Sequence, residues 1–482
     1  MFNNELWQKP AGGAGGAGFY THQIANSCRF DGAGKYLRTN GSAPTLATKY
    51  TFSTWVKRSK LSAWMCLIAS ETDNVNYDDF IFNSSNQLYQ TSQRSTTYET
   101  YDVSVYRDIS AYYHVVFQWD TTLASATDRM KVYVNGVRLA WDQTTYSGAI
   151  PQDTALKLNE NGASLSVGYS VSNARIFNGY MAQTAGIDGS IVAIGDLGET
   201  KNGVWIAKDL SGLTFGNNGF LLDYALSGDM GNDVSGNNND FTPTSISPHD
   251  QMLDSPTFNS NSNGGNFCTW NILSRTNPAL SYGASTFSEG NLAFAGATGG
   301  TASTGSTFSM QSGKWYTEVM QSGSPAGGWP AAGVIYTDKM GTAQGTSNIQ
   351  PQNGFTAFIA MTNGDLYKFD ASPAASYGSA FGNGDICNIA VDIDAGKIWW
   401  GKNGTYFASG NPVTGANPGD TFTAGTVLSL WVAGYNGSGT SILNAGQDGT
   451  FAGAKTAQGN SDDTGYGNFY YDPPTAFLAL CS

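Results

Sequence analysis

Charged side chains are scarce in this chain, and those present are mainly acidic. Asp, Glu, Lys and Arg make up 13% of the 482 residues, and the net charge at pH 7 is −13. No run of Lys and Arg interrupts this pattern. Nucleic acids and anionic lipid surfaces recruit proteins through basic patches. We therefore expect no nucleic-acid partner and, since no stretch of about 18 apolar residues occurs, no membrane insertion.

Cysteine and histidine are also rare. The cysteines stand singly, without the close pairs of a zinc site or the density of a disulfide scaffold, so we expect free, mostly buried thiols at Cys28, Cys66, Cys268, Cys387 and Cys481. The histidines accompany no Gly-x-Ser-x-Gly motif: His22, His114 and His249. No cofactor and no metal site is predicted. The N-terminus lacks the basic and apolar regions of a signal peptide, so export by that route is not expected.

Helical periodicity is nearly absent, whereas glycine (60 residues) and aromatic residues (13%) are abundant, as is typical of turn-rich β structure. One hairpin pattern occurs twice, over residues 113–137 and 388–405. Each copy is an apolar run ending in Asp, followed by a second run closed by Asn-Gly, at positions 135–136 and 403–404. Asn-Gly accepts the positive φ angles of a tight hairpin turn. The two copies predict an all-β chain with one sandwich in each half.

Motifs in both halves resemble known β-sandwich families. Arg-Phe-Asp-Gly-x-Gly-x-Tyr-Leu (29–37), Phe-Ser-x-Trp-Val-Lys-Arg (52–58) and the first hairpin resemble a concanavalin-type, laminin-G-like jelly roll over about residues 28–242. Gly-Lys-Trp-Tyr-x-Glu-Val (313–319) and the second hairpin resemble a SPRY domain. The resemblance implies two concanavalin-type antiparallel β-sandwich (jelly-roll) domains in tandem.

The composition then divides the chain into four parts. The predicted parts are an N-terminal docking segment with a Gly-rich tether (1–20), the laminin-G-like jelly roll (21–242), a linker rich in Pro, Ser, Asn and Gly (243–265), and the SPRY-like sandwich (266–482).

The whole arrangement resembles structural proteins of marine tailed bacteriophages. This resemblance implies a virion component on the particle surface, such as a tail fibre or adhesion protein, and a homo-oligomer such as a trimer. The N-terminal segment would contact other virion proteins, with Phe2, Leu6 and Trp7 as its apolar anchors. The alternative is that these residues form a frayed terminus that packs loosely on its own domain.

Catalytic and calcium-binding patterns are weak. Glycan hydrolases on concanavalin-type folds need two carboxylates at a set separation, and the acidic residues considered for this role fit solvent-facing or turn positions better: Glu99, Asp102, Asp392 and Asp394. We therefore predict that the protein is not an enzyme. The acidic loops 73–79 and 229–240 offer oxygen ligands for calcium, but Asn and Asp also cap turns with their own side chains, and that interpretation is favoured.

Glycan binding needs aromatic platforms beside polar groups on exposed loops. The candidates are Trp64, Tyr77 and Trp141 in the first domain and Trp329 and Tyr435 in the second. Each of these aromatic residues can instead cover the core. The leading hypothesis is a phage adhesion protein that binds a host-surface glycan or protein. The alternatives are a capsid decoration or head fibre protein without glycan binding and a glycan-degrading enzyme.

Overall fold

The computed structural model describes residues 19–73, 75–142, 150–258, 264–275, 285–297, 301–325, 328–341, 354–369, 374–435 and 439–482. Two compact units fall within Gly15–Asn259 and Ser260–Ser482. Regular structure in these ranges is almost entirely β, with one short α-helix, α1 (Ile194–Leu197), and several single 3₁₀ turns, so the predicted all-β tandem sandwich is confirmed. Within the same ranges, no helix is long and apolar enough to cross a bilayer. The predicted anchors Phe2, Leu6 and Trp7 lie outside the described residues.

The described residues of the first unit form twenty strands. Their bounds are β1 Ser27–Asp31, β2 Tyr36–Asn40, β3 Lys49–Arg58, β4 Met65–Asp73, β5 Asn76–Phe82, β6 Leu88–Gln93, β7 Thr97–Asp102, β8 Tyr113–Asp120, β9 Met130–Val134, β10 Val137–Arg138, β11 Trp141–Asp142, β12 Ser164–Val167, β13 Tyr169–Ser170, β14 Arg175–Ile176, β15 Asn178–Asp188, β16 Gly198–Lys201, β17 Val204–Ala207, β18 Phe220–Leu222, β19 Thr242–Thr244 and β20 Gln251–Met252.

Two antiparallel sheets of this unit enclose its main core. The first sheet has the order β10-β9-β8-β3-β15-β1-β20, with β18 beside β15, and the second has the order β11-β7-β6-β5-β4-β12-β2-β19. Alternation along each strand sends every second side chain inward. Phe52 and Phe117 of the first sheet thus meet Phe80, Phe82 and Val167 of the second in one buried cluster.

The outer sides of the two sheets differ. On the first sheet, a second apolar cluster that includes Val116, Ile187, Leu197 and Phe215 covers the outer side with the chain between β15 and β18. On the second sheet, the apolar cluster facing outward is small and is built on Cys66, Ala69, Ile81 and Tyr89. We refer to this side as the outer face of the second sheet. Its remaining positions are mostly polar or aromatic.

Residues 242–258, the closing segment, are part of the first sandwich, although the sequence places residues 243–265 in a linker. Strand β19 pairs with β2 at the edge of the second sheet, and β20 pairs with β1 at the edge of the first. Next to these pairings, Ile24 N donates to Thr257 Oγ1 (2.7 Å). The chain therefore enters and leaves this unit side by side.

Buried ion pairs hold the closing segment to the sandwich. Asp250, which is fully buried, accepts from Arg29 (3.1 Å) and Lys35 (2.8 Å). Asp254 Oδ2 lies 2.8 Å from Lys57 Nζ, and both side chains are buried. A Pro- and Ser-rich composition suggests a linker but carries no signal for contacts with residues about 200 positions away in the sequence.

The described residues of the second unit form fourteen strands. Their bounds are β21 Thr286–Ser288, β22 Ala293–Ala295, β23 Thr301–Met310, β24 Lys314–Ser322, β25 Ala331–Tyr336, β26 Thr356–Ala360, β27 Leu366–Tyr367, β28 Ile386–Asp392, β29 Lys397–Lys402, β30 Thr405–Tyr406, β31 Asp420–Thr421, β32 Leu428–Tyr435, β33 Thr440–Asn444 and β34 Leu478–Ala479.

These strands form a third sheet, β21-β22-β33-β24-β28-β29-β30, and a fourth sheet, β23-β32-β25-β26-β27. Strand β31 joins the third sheet beside β29, and β34 joins it parallel to β24. Val319, Ile389 and Trp400 of the third sheet pack against Val334 and Leu430 of the fourth. The second unit is therefore a sandwich with a core of its own.

The duplicated hairpin has the same geometry in both units. Asn135 and Gly136 join β9 to β10 with φ angles of 48° and 78°, and Asn403 and Gly404 join β29 to β30 with 50° and 80°. The Asn135 side-chain oxygen accepts an N–H of β8 (2.8 Å), as that of Asn403 accepts an N–H of β28 (2.9 Å). Asn-Gly tolerates this left-handed backbone, which is why the pattern identifies the turn.

Candidate functional site

Outward positions of the second sheet form one continuous face, because residues paired across strands point to the same side. Tyr101 pairs with Tyr89, which pairs with Ile81. Near the other edge, Arg38 pairs with Thr242. Neighbours along these strands such as Leu37, Phe80 and Leu88 point into the core. The face therefore extends from the aromatic strands β6 and β7 to the polar edge at β2 and β19.

Three aromatic rings form a row at one end of this face. Trp64, just before β4, meets the Tyr89 ring edge-on at 5.4 Å, and Tyr89 stacks with Tyr101 at 6.1 Å. Trp64 is 41% exposed, Tyr101 is half-buried, and Tyr89 is buried between them. A partly exposed indole supported by other rings is a rigid apolar platform that costs little conformational entropy to hold.

Arg175 fixes the position of Trp64. Its guanidinium lies 4.4 Å from the indole and donates from Nη1 to Asp79 Oδ2 at 2.9 Å. Asp79 is fully buried, and burial raises its pKa to about 6 even though Arg175 opposes the shift. A carboxyl with a raised pKa can serve as a general acid, but Arg175 occupies this one and the chain covers it. Asp79 therefore acts as an anchor for Arg175.

A groove of about 330 Å³ lies at the polar edge of the same face. It is lined by Tyr36, Arg38, Thr39, Asn40, Thr242 and Thr244. The Tyr36 and Tyr169 rings stack at 4.7 Å with an interplanar angle of 24°, and Arg38 lies over Tyr36 at 4.9 Å. Thr242 and Thr244 come from the closing segment, so the groove depends on β19 joining the sheet.

Two of the predicted platforms lie on this face. Trp64 is exposed, whereas Tyr77 is only 8% exposed and offers a ligand little surface. Trp141 lies in β11, at the edge strand of the same sheet beside β7, and its side chain lies outside the described residues. The other two predicted platforms belong to the second unit: Trp329 is 43% exposed before β25, and Tyr435 is half-buried at the end of β32.

Sequence reasoning missed the groove and the partners of Trp64. Tyr36, Leu37 and Arg38 alternate outward and inward, a signal that the sequence does contain. Nothing local shows that Arg175 folds back onto Trp64, because their contact depends on the β13–β14 hairpin lying over β4.

A serine and a histidine meet in the first unit, but their geometry excludes a nucleophilic pair. Ser53 Oγ lies 2.8 Å from His114 Nε2, while Trp205 Nε1 donates to His114 Nδ1 at 2.9 Å. Because Nδ1 accepts, Nε2 carries the proton and donates it to Ser53, so the ring cannot act as base toward that hydroxyl. Burial also lowers the pKa of His114 to about 3.

The carboxylates considered for catalysis have structural partners or stand alone. Asp102 is buried and accepts from the Tyr106 hydroxyl, and Asp392 accepts from Ala395 N (2.8 Å) at the hairpin turn. Glu99 is half-buried on the outer face of the second sheet. It lies in β7, two strands away from Asp79 in β5, which is covered.

The acidic side chains of the two loops accept hydrogen bonds from groups in or near the loops. Asp73 accepts from Val75 N and from the Asn76 amide, and Asp233 accepts from Leu221 N (2.8 Å) and Ser235 N (2.9 Å). Across the described ranges, no group of three or more His, Cys, Asp and Glu side chains stands close enough to hold a metal ion. The oxygens that calcium would need are thus engaged in turns.

Glu318 is the most deeply enclosed acid of the second unit's third sheet. It accepts hydrogen bonds from Tyr470 N (2.9 Å), Tyr471 N (2.8 Å), the Tyr316 hydroxyl (3.0 Å) and the Asn444 amide (3.0 Å). Burial nevertheless raises its pKa to about 7. These bonds attach the C-terminal coil to β24 and leave the carboxyl enclosed, so its role is structural.

Comparison with known proteins finds one family-model match, which lies within the first unit. Among solved structures, the SPRY domain of human HERC1 is 16% identical over 36% of this chain and 96% of its own length (TM-score 0.27). A heptameric SAP-like pentraxin from Limulus polyphemus is 14% identical over 36% of this chain and 82% of its own length (TM-score 0.27). A protein of Bacteroides ovatus described as carbohydrate-binding is 14% identical over 47% of this chain and 60% of its own length (TM-score 0.33). No curated protein is similar enough to count as a relative. Residues 31–188 match the laminin-G-type family model of the concanavalin A-like lectin/glucanases superfamily, a range that contains seven of the eight strands of the second sheet.

Proposed function

We propose that the protein is a non-enzymatic binding protein whose first unit holds a glycan on the outer face of the second sheet. The exposed indole of Trp64, fixed between Arg175 and Tyr89, is the observation that carries this proposal. A sugar ring places its C–H face against an aromatic ring and its hydroxyls against polar groups. The outer face of the second sheet offers both within one unit.

Binding is favoured over hydrolysis by the state of the carboxylates. The superfamily matched by residues 31–188 contains lectins and glucanases. A retaining or inverting hydrolase needs an acid and a second carboxylate open to the glycosidic bond. Asp79 is covered and paired with Arg175, which supports the lectin-like alternative.

We further propose that this module belongs to a phage particle, as a tail fibre or adhesion protein on the particle surface. The support is the sequence resemblance to virion proteins and the apolar residues Phe2, Leu6 and Trp7 ahead of a glycine tether. In this proposal residues 1–20 contact other virion proteins, and the chain assembles as a homo-oligomer such as a trimer. Each anchor buried in a partner contributes about 1.5–3 kcal/mol, and oligomeric symmetry multiplies the effect.

Two other functions predict different results. A capsid decoration or head fibre protein binds its virion partner and no glycan. A glycan-degrading enzyme shortens the glycan during incubation, and removing one carboxylate stops it. Neither is favoured by the exposed and fixed position of Trp64.

Replacement of Trp64 tests the glycan-binding proposal. Trp64→Ala removes the platform, and we expect at least about tenfold weaker binding to a glycan that the intact chain retains, or about 1.4 kcal/mol. Leu226→Ala is the matched control, because this apolar side chain is 52% exposed and lies outside the face. Binding would be measured on immobilised glycans, with melting curves to confirm folding. Equal affinity of the Trp64 and Leu226 variants would contradict the proposal.

Removal of residues 1–20 tests the particle proposal separately. We expect the shortened chain to fold and to be missing from purified particles, where cryo-electron microscopy would locate the full chain. Normal incorporation of the shortened chain would show that the virion contact lies elsewhere.

A further inference from the structure

Arg38 has hydrogen-bond donors that the protein does not use. In the described part of the chain it donates one hydrogen bond, from Nε to Ser166 Oγ (3.0 Å), and it forms no ion pair. Its Nη2 is buried without an acceptor. A guanidinium carries five N–H donors in a planar fork. Leaving buried donors without partners costs free energy, so such a group needs an explanation.

The other arginines of the first unit that are at least half buried each have a carboxylate or carbonyl acceptor, although Arg58 Nε is also buried without a partner. Carboxylates or carbonyls receive hydrogen bonds from Arg29, Arg58, Arg94, Arg129 and Arg175. Arg175 is the nearest comparison, because it lies on the same outer face and its charge is balanced by Asp79. The contact of Arg38 with the Tyr36 and Tyr169 rings, at 4.9 and 5.9 Å, holds the guanidinium in place but supplies no acceptor.

The groove around Arg38 has the composition of an anion site. Its lining consists of Arg38, Tyr36, Asn40 and three threonines, with no acidic residue among them. Thr242 lies directly across from Arg38 in the β19–β2 pairing and is exposed. In a chain with a net charge of −13, a cation set among hydroxyls and an amide is a local exception that attracts negative charge.

We propose that this groove binds the carboxylate of an acidic sugar beside the Arg38 guanidinium. The inference rests on the glycan-binding function proposed above and narrows it to glycans that contain a sugar acid. A carboxylate pairs with a guanidinium both by its opposite charge and by accepting N–H hydrogen bonds. The threonine hydroxyls and Asn40 then face the neutral hydroxyls of the same sugar, beside the Tyr36 ring.

Matched glycans test this inference. The probes are oligosaccharides of uronic acids, the same oligosaccharides after reduction of each carboxyl to a neutral alcohol, and sulfated neutral oligosaccharides, all displayed on one array. The full chain is compared with Arg38→Gln, with Thr242→Glu, and with Arg107→Gln, which changes an exposed arginine outside the groove. Thr242→Glu keeps Arg38 and places a competing carboxylate opposite it.

We expect the full chain to prefer the acidic probes. Arg38→Gln should weaken binding of the acidic probes about 10- to 100-fold and should leave binding of the reduced probes unchanged. Thr242→Glu should cause the same loss, and Arg107→Gln should cause none. Equal binding of acidic and reduced probes, unchanged by Arg38→Gln, would overturn the inference while glycan binding stands. If the sulfated probes bind as tightly as the uronic acid probes, the groove does not select a carboxylate, and that part of the inference is overturned. Absence of binding to every probe would instead contradict the proposed function itself.

Discussion

Replacing Asp254 by asparagine removes the counter-charge that lies 2.8 Å from a buried ammonium. The Lys57 and Asp254 side chains are 1% and 0% exposed. Moving an ion out of water costs several kcal/mol, and the opposite charge offsets that cost in the folded chain. The Tyr112 and Tyr180 rings lie 6.0 and 5.8 Å from the ammonium, at the outer limit of a cation–π contact. They cannot replace the carboxylate.

We expect Asp254→Asn to lower the free energy of unfolding of the first unit by about 3–5 kcal/mol. For a unit of this size each kcal/mol lowers the melting temperature by about 2–4 °C, so the fall should be about 6–20 °C. Calorimetry and urea unfolding of fragment 19–258 would measure it. The double variant with Lys57→Met removes both charges and should recover most of the loss. A single variant within about 1 kcal/mol of the original, or a double variant as unstable as the single one, would refute the reasoning.

Three further predictions concern the first unit. Gly136→Ala should destabilise the first unit by about 1–3 kcal/mol more than Gly203→Ala. Both glycines have positive φ, but of the two only Gly136 would bring a Cβ into the Trp205 indole. Urea unfolding would measure both variants. Burial lowers the pKa of His114 to about 3 in the folded chain, so its contribution to the free energy of unfolding is complete above pH 6.5. That contribution falls by up to about 5 kcal/mol as the pH drops toward 3. Unfolding free energies of His114→Gln measured against pH should lack this part of the slope. Fragment 21–248 should melt well below fragment 19–258, because the shorter one lacks both carboxylates of the closing segment.

The hairpins could be predicted because their information is local. The dipeptides Asn135-Gly136 and Asn403-Gly404 indicate the positive φ angles that each turn adopts. The apolar runs beside them indicate that two strands meet there. Alternation in the strands then gives the sandwich in each half. These features can therefore be predicted without knowing which distant residues are in contact.

The candidate site could be predicted only in part, because its chemistry depends on distant residues. Trp64 and Tyr77 share one face, yet their exposures of 41% and 8% are set by the chain that folds over each of them. Arg38 and Arg175 are the same residue type on the same face, and only the tertiary partner Asp79 distinguishes the guanidinium that is paired with a carboxylate from the one that is not. Composition likewise assigns the closing segment to a linker, since it carries no information about buried partners.

The side-by-side ends of the first unit determine how it responds to mechanical load. The chain enters next to β1 and leaves next to β20, and only a short pairing joins these two strands. A pull on both ends would open this pairing from its outer end, one contact at a time, and the long strands of the two sheets would bear none of the force. Asp254 lies between β20 and the point where the chain leaves, so its pair with Lys57 would resist before the pairing opens. Tension along the chain therefore passes beside the sandwich, and the face that carries Trp64 and Arg38 keeps its shape while the chain is stretched.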